Sequence, residues 1–181
     1  FLTRLPENWV PKPETHHEYF CGKYAKSFDF SKFDSSVPSW VIRAAFTVLR
    51  CCLDLTQYEH YGIPTGIHTL LKWVEHVYTN KKVVTPQITK PLYLKHGVPS
   101  GGMLTNIIDT IISYIVMYEL HDCDCPSRLI IQGPFPSLTV AYGDDCHTRC
   151  CTCVDDDLVM RAKKLFGMDL KIDHPNELCC L

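Results

Sequence analysis

Two adjacent acids, Asp144 and Asp145, follow Tyr142-Gly143. Strand-like segments flank them, Leu138-Thr139-Val140-Ala141 before and Cys146-His147-Thr148-Arg149-Cys150 after. Successive side chains of a strand point to opposite faces, so neighbours within a strand do not normally serve one ion. A tight turn removes that restriction, and Gly143 supplies the backbone freedom such a turn needs. Two carboxylates at a hairpin tip make a hard-oxygen site suited to Mg2+. Four such residues alone describe an ordinary surface turn, so their chemistry depends on what the rest of the chain brings to them.

Two further segments carry candidate groups. In Asp29-Phe30-Ser31-Lys32-Phe33-Asp34, Asp29 ends a predicted strand and projects toward the Asp144-Asp145 turn if the two strands are neighbours. Asp34 comes after the chain has turned, facing another part of the same cleft or capping a helix beside Ser35 and Ser36. In Gly97-Val98-Pro99-Ser100-Gly101-Gly102-Met103-Leu104-Thr105, the glycines permit close backbone approach to a ligand. The N-terminus of the helix that follows favours phosphate. Thr105, Asp109 and Ser113 recur at helical spacing as one polar stripe, expected to face water or a partner, with Ile107, Ile108, Ile111, Ile112 and Ile115 toward the core. Carboxylates converging without a cation would repel and raise one another's pKa, and two Mg2+ ions relieve that repulsion.

The elements that position these groups follow from pattern. Lys26 to Phe30 reads as a strand, and Ser35-Ser36-Val37-Pro38 as a helix start with a hydroxyl cap. Val41, Ala44, Ala45, Val48, Leu49 and Cys52 form the apolar stripe of that helix. A second helix is predicted over Ile67 to Tyr78, short strands over Lys82 to Thr85 and Leu92 to Leu94, and a long helix from Leu104 to about Leu120. A strand over Leu129 to Gln132 precedes the hairpin. Thr152 opens the next helix with Asp155 at the capping-box distance. Its acids Asp155, Asp156 and Asp157 lead, its bases Arg161, Lys163 and Lys164 follow, and Gly167 ends it. Leu158, Val159, Ala162, Leu165 and Phe166 form its apolar stripe, and Leu170 with Ile172 marks a last strand. The pattern predicts an α+β fold, a split antiparallel sheet with helices on one face.

The 181 residues carry a formal charge of −2 with 46% hydrophobic residues, which excludes disorder and gives no global basic signal for nucleic acid. The most apolar stretch, Leu104 to Met117, is interrupted by Asn106, Asp109 and Ser113, which argues against a membrane segment. Eleven cysteines in a chain of this size fit a reducing compartment better than a disulfide scaffold. Cys146, Cys150, Cys151 and Cys153 with His147 could be grouped as a zinc site, but paired Cys-x-x-Cys knuckles are absent and buried thiols are the expectation. The start at Phe1 and the stop at Cys179-Cys180-Leu181 read as a fragment.

Asp-x-x-x-x-Asp (29–34), Ser-Gly-x-x-x-Thr-x-x-x-Asp (100–109) and Tyr-Gly-Asp-Asp (142–145) occur in the order of motifs A, B and C of viral RNA-dependent RNA polymerases, which this chain resembles from Asp29 to Asp145. The wording of the motifs, with Asp109 where picorna-like enzymes usually carry Asn, is most similar to partitivirus- and picobirnavirus-type double-stranded RNA viruses.

The resemblance implies a polymerase palm over 29–181, with 53–96 partly in the fingers and 1–28 an approach segment from them. Upstream fingers and the thumb would be missing, leaving this fragment inactive by itself. It implies Asp29, Asp144 and Asp145 as catalytic metal ligands, with the Phe30 carbonyl a further oxygen, for two Mg2+ that Mn2+ could replace. Asp34, Ser100, Thr105 and Asp109 would sense the ribose 2′-hydroxyl, while Gly101 and Gly102 flex against template and nucleotide. Partners implied are an RNA template and nascent strand, nucleoside triphosphates and a viral capsid protein, in the host cytoplasm inside the particle. Phe166 to Lys171 resembles motif D, with the lysine nearer the glycine than usual, so Lys171 and His174 are both candidates for protonating pyrophosphate and a merely surface-exposed Lys171 is the competing reading. Asp34 and Gly143 argue against a reverse transcriptase, where a bulky residue and a variable residue stand at those positions. A cysteine-rich zinc-binding interaction module is the non-enzymatic alternative.

Overall fold

The computed structural model describes residues 25–54, 64–84, 86, 90–122, 125, 139–149 and 151–175. Its elements in chain order are β1 (Lys26–Ser31), α1 (Phe33–Ser36), α2 (Ser39–Cys52), α3 (Pro64–Thr79), β2 (Lys81–Val83), β3 (Leu92–Leu94), α4 (Thr105–Leu120), β4 (Thr139–Tyr142), β5 (Asp145–Thr148), α5 (Asp155–Phe166) and β6 (Asp169–Asp173). Four strands form one sheet in the order β4-β5-β1-β6, and β2 pairs with β3 separately. Every pairing is antiparallel. The predicted strand over Leu129 to Gln132 and the approach segment before Ala25 lie outside the described residues.

Alternation decides what each sheet face carries. Lys26, Phe28 and Phe30 of β1, Cys146 and Thr148 of β5 and Leu170 of β6 are buried. Helices α2, α4 and α5 join that side in one core, through Ile42, Phe46, Ile108, Ile112, Leu158 and Phe166. Ser27, Asp29, Asp145, His147 and Lys171 occupy the intervening positions and turn to the open face. The expected α+β architecture with helices on one face is what forms.

Three local expectations are corrected. The hydroxyls of Ser35 and Ser36 cap no helix start; they donate to the Lys32 and Phe33 carbonyls within α1, and α2 begins after Pro38. Its buried stripe is Val41, Ile42, Ala45, Phe46 and Leu49, rotated from the predicted one, with Val48 and Cys52 exposed. On α5, Val154 occupies the cap position without a side-chain bond, so Thr152 and Asp155 form no capping box. Asp155 instead pairs with the buried Lys26 and with His174. Burial works to raise the Asp155 carboxyl, but hydrogen bonds from Lys26 and His174 outweigh it and hold it below the usual range. The helix does end on Gly167 in the left-handed conformation, and Leu158, Ala162 and Phe166 are its buried residues, with Val159 and Leu165 exposed.

Candidate active site

The central feature is the adjacency of β1 and β5. Their register pairs Lys26 with Thr148, Ser27 with His147 and Phe28 with Cys146. One further step places Asp29 level with Asp145, beyond the last pair. Residues directly opposite in an antiparallel pair share a face, as the 3.1 Å contact between Ser27 Oγ and His147 Nδ1 illustrates for this one. Asp29 and Asp145 are both exposed. Among the described residues, Asp29, Asp144 and Asp145 converge on this end of the sheet without closing to within 4.8 Å of one another as a set.

The turn between β4 and β5 is bolted to α4 at both of its peptide groups. Gly143 has φ +64°, and its N–H donates to Thr110 Oγ1 at 2.8 Å. Its carbonyl accepts from Ser113 Oγ at 2.7 Å. A Cβ at this position would lie 3.3 Å from Asn106 Nδ2, so the helix also approaches the turn closely. This corrects the reading of the Thr105-Asp109-Ser113 stripe as facing water or a partner: Asp109 and Ser113 are buried, while Ile107 is exposed. The hydrogen bond to the Gly143 carbonyl compensates the burial of the Ser113 hydroxyl. Thr110 was not singled out in the sequence, because its helical neighbours gave no sign that it bonds a turn 33 residues away.

Asp109 sits between two other acids. It is 5% exposed, and its Oδ1 is buried without a hydrogen-bond partner. Burial, with the negative charges of Asp34 and Asp144, pushes its carboxyl up to about 7. Asp34 is exposed on α1. Lys81, at the start of β2, has its ammonium disfavoured by burial and favoured by the Asp34 charge. Nothing in the spacing marked Lys81 as a neighbour of Asp34.

The glycine loop is fastened to the Asp34 segment. Gly97 N–H donates to the Val37 carbonyl at 2.6 Å, Val98 N–H to the Asp34 carbonyl at 2.7 Å, and the His96 ring to the Ser35 carbonyl at 2.9 Å. Gly97 has φ +79°, and a Cβ there would overlap the Asp34 carbonyl oxygen and come within 2.9 Å of Ser35 Cα. Ser100 and Gly101 are exposed at the loop tip, Gly101 with φ +77°. Thr105 Oγ1 turns back to donate to the Pro99 carbonyl at 2.7 Å, which closes the loop onto the start of α4.

The two candidates for a proton donor separate. Lys171 on β6 is the cross-strand partner of Asp29. His174 is bonded to Asp155 through Nε2 at 2.7 Å. The cysteine grouping considered in the sequence does not form around β5. Cys146 is buried on the core side, its thiol pushed up to about 12 by burial despite a hydrogen bond with Ser113. His147 turns to the other face, and Cys150 lies outside the described residues.

An antiparallel sheet covered by helices on one face, with acids at the open end of its two central strands, is the arrangement that polymerase palms share. The family of viral RNA-dependent RNA polymerases matches residues 11–176, and the chain belongs to that family. It is 33% identical over 87 residues to the RNA-directed RNA polymerase of Cryptosporidium parvum virus 1 (strain KSU-1), a match covering 48% of this chain and 15% of that protein. Its fold is similar to the crystal structure of the RNA-dependent RNA polymerase of a human picobirnavirus, at 19% identity and a TM-score of 0.59, covering 82% of this chain and 26% of that one. Sicinivirus 3Dpol RNA-dependent RNA polymerase gives 17% identity and a TM-score of 0.57, with 93% and 31% covered. The chain thus spans well under a third of the length of the first relatives it matches.

Proposed function

We propose that this chain is the palm segment of an enzyme that adds ribonucleotides to an RNA 3′ end on an RNA template, for replication and transcription of a double-stranded RNA virus genome. The observation that carries the proposal is the pairing of β1 with β5, which sets Asp29 level with Asp145 beside the bolted Asp144 turn. The residues fit divalent cations: the donors are hard carboxylate oxygens, and the Asp109 carboxyl, raised first by its own burial, is raised further by the negative charges of Asp34 and Asp144. Asp29, Asp144 and Asp145, with the Phe30 carbonyl, would hold two Mg2+, or Mn2+ in their place. Bound there, such ions supply activation of the attacking oxygen and stabilisation of the leaving pyrophosphate.

The chain's own residues have separate tasks in this scheme. Thr110 and Ser113 hold the turn so that Asp144 faces the cleft. Asp34 and Asp109 sense the ribose 2′-hydroxyl, with Ser100 and Gly101 at the loop tip against the nucleotide and Thr105 fixing that loop. Lys171, beside Asp29, is the better placed of the two candidates for giving a proton to pyrophosphate. Nucleoside triphosphates, template and nascent RNA are the ligands. A capsid protein is the expected partner, with the enzyme working inside the particle in the host cytoplasm. Exposed apolar residues on α3, Leu70 and Trp73, are where the fingers would be joined, in keeping with 53–96 belonging partly to them. No helix among the described residues is long and apolar enough to cross a membrane.

The test is Asp144→Ala in the intact polymerase chain carrying this segment. Mg2+-dependent ribonucleotide incorporation is expected to fall to background with the fold intact by circular dichroism. Near-normal incorporation would remove Asp144 from the metal site.

A further inference from the structure

A second cluster of ligating side chains lies at the other end of α4 from the glycine loop. Ligand atoms of His121, Cys125 and Cys151 all fall within 4.8 Å of one another, and all three residues are buried. His121 closes α4 and is fully buried. Its Nδ1 donates to the Met117 carbonyl at 2.6 Å. That bond fixes the neutral tautomer with a lone pair on Nε2. Nε2 is itself buried without a partner among the described residues, which leaves its lone pair desolvated unless something binds there. A ring whose Nδ1 is held by a backbone carbonyl while Nε2 is left to bind is the usual arrangement of a metal-ligating histidine.

A third thiol lies beside the cluster. Cys125 hydrogen-bonds with Cys151 and with Cys153. The Asp122 N–H points at Cys153 Sγ at 3.4 Å, a backbone-to-sulfur bond of the kind that orients a thiolate ligand. Cys153 Sγ lies outside the 4.8 Å group but is hydrogen-bonded to Cys125, so a small inward movement of its side chain would give three sulfurs and one imidazole, all nearly inaccessible to water, with no open position for substrate. Soft sulfur donors with one imidazole select zinc over magnesium or calcium. The ammonium of Lys26, which donates to the Cys153 carbonyl at 2.5 Å and pairs with Asp155, also favours the thiolate form of Cys151.

We infer that the polymerase binds one structural Zn2+ through His121 Nε2 and the thiolates of Cys125, Cys151 and Cys153. The ion staples the end of α4 to the segment linking β5 with α5. Because α4 also carries Thr110 and Ser113, the staple fixes the helix that holds the Gly143 turn. It acts far from the acids: Ser113 and His121 are eight positions apart, about 12 Å of helix. A disulfide between Cys125 and Cys151 would leave His121 Nε2 without a partner.

The test is metal analysis of the intact, tag-free polymerase. About one zinc per chain is expected. It should be lost in Cys151→Ser and in His121→Asn and retained in Cys51→Ser, an exposed thiol elsewhere. Cobalt exchanged into the site should show the thiolate charge-transfer absorption of a tetrahedral centre, absent from Cys151→Ser. Should the variants fail to fold, chelation of the parent chain reports independently: its melting temperature should drop and recover with added zinc. Absence of stoichiometric zinc, zinc retained in both ligand variants, a melt unmoved by chelation, or two thiols blocked as a disulfide overturns the site.

Discussion

The Ser113 hydroxyl donates to the Gly143 carbonyl at 2.7 Å, so a helix residue holds the turn that carries Asp144 from 30 positions away. Thr110 completes the grip by accepting the Gly143 N–H. The first prediction concerns this joint. Ser113→Ala leaves a buried carbonyl unsatisfied and is expected to cost about 1–3 kcal/mol of stability. Incorporation should fall further than stability accounts for, because the turn is released. Melting curves and single-turnover assays on one preparation check this, and unchanged turnover at reduced stability would make Ser113 purely structural.

Asp34 is exposed, faces Lys81 electrostatically, and has its backbone tied to Val98. Asp34→Ala is therefore expected to leave the fold in place and to weaken the preference for ribonucleotides over deoxyribonucleotides by about tenfold, the loss of one hydrogen bond to a charged group. Competition between the two nucleotide classes measures it. Unchanged discrimination takes Asp34 out of sugar recognition.

Asp109 gives a pH signature. Its carboxyl is raised to about 7 in the folded chain, by burial first and then by Asp34 and Asp144. An unfolded aspartate titrates near about 4, so from there up to about 7 the unfolded chain holds fewer protons and stability falls as pH rises. Asp109→Asn removes this titration. The variant is expected to melt above the parent at about pH 8 in chelator, with the difference closing toward about pH 5, where the parent carboxyl is protonated in its folded state. A difference that does not change with pH contradicts the burial of the charge as its cause.

Lys171 and His174 make a matched pair of substitutions. Lys171 pairs with Asp29 across the sheet, and His174 is bonded to Asp155. Lys171→Leu is expected to lower kcat by about 10²-fold and to shift the alkaline limb of the pH–rate profile, as loss of a general acid does. His174→Ala should leave kcat unchanged. Equal effects from the two would assign the proton elsewhere.

Much of the architecture was legible in local pattern. The strand over 26–30, the helix after Leu104, the last strand at Leu170 and Ile172 and the left-handed stop at Gly167 each follow from side-chain period or backbone chemistry within a few residues. The polar stripe on α4 was legible as a stripe, but its direction was not. Whether Ser113 meets water or a buried carbonyl depends on where the hairpin docks, and no local period encodes that. The same holds for Thr110, Lys81 and the meeting of His121 with Cys125 and Cys151.

The sequence by itself determined the types and order of the reacting groups: carboxylates at 29, 34, 109, 144 and 145, glycines at 97, 101 and 143 where the backbone takes a positive φ, and membership in the polymerase family once the motifs are read together. Tertiary structure alone decided which of them meet. Strand order put β1 beside β5, more than a hundred residues apart, and the pleat then sent Asp29 and Asp145 to the open face and Phe28 and Cys146 to the core. The physical reason is that side-chain periodicity is a local property of the backbone, whereas strand pairing and helix docking are settled by burying apolar surface across the whole chain.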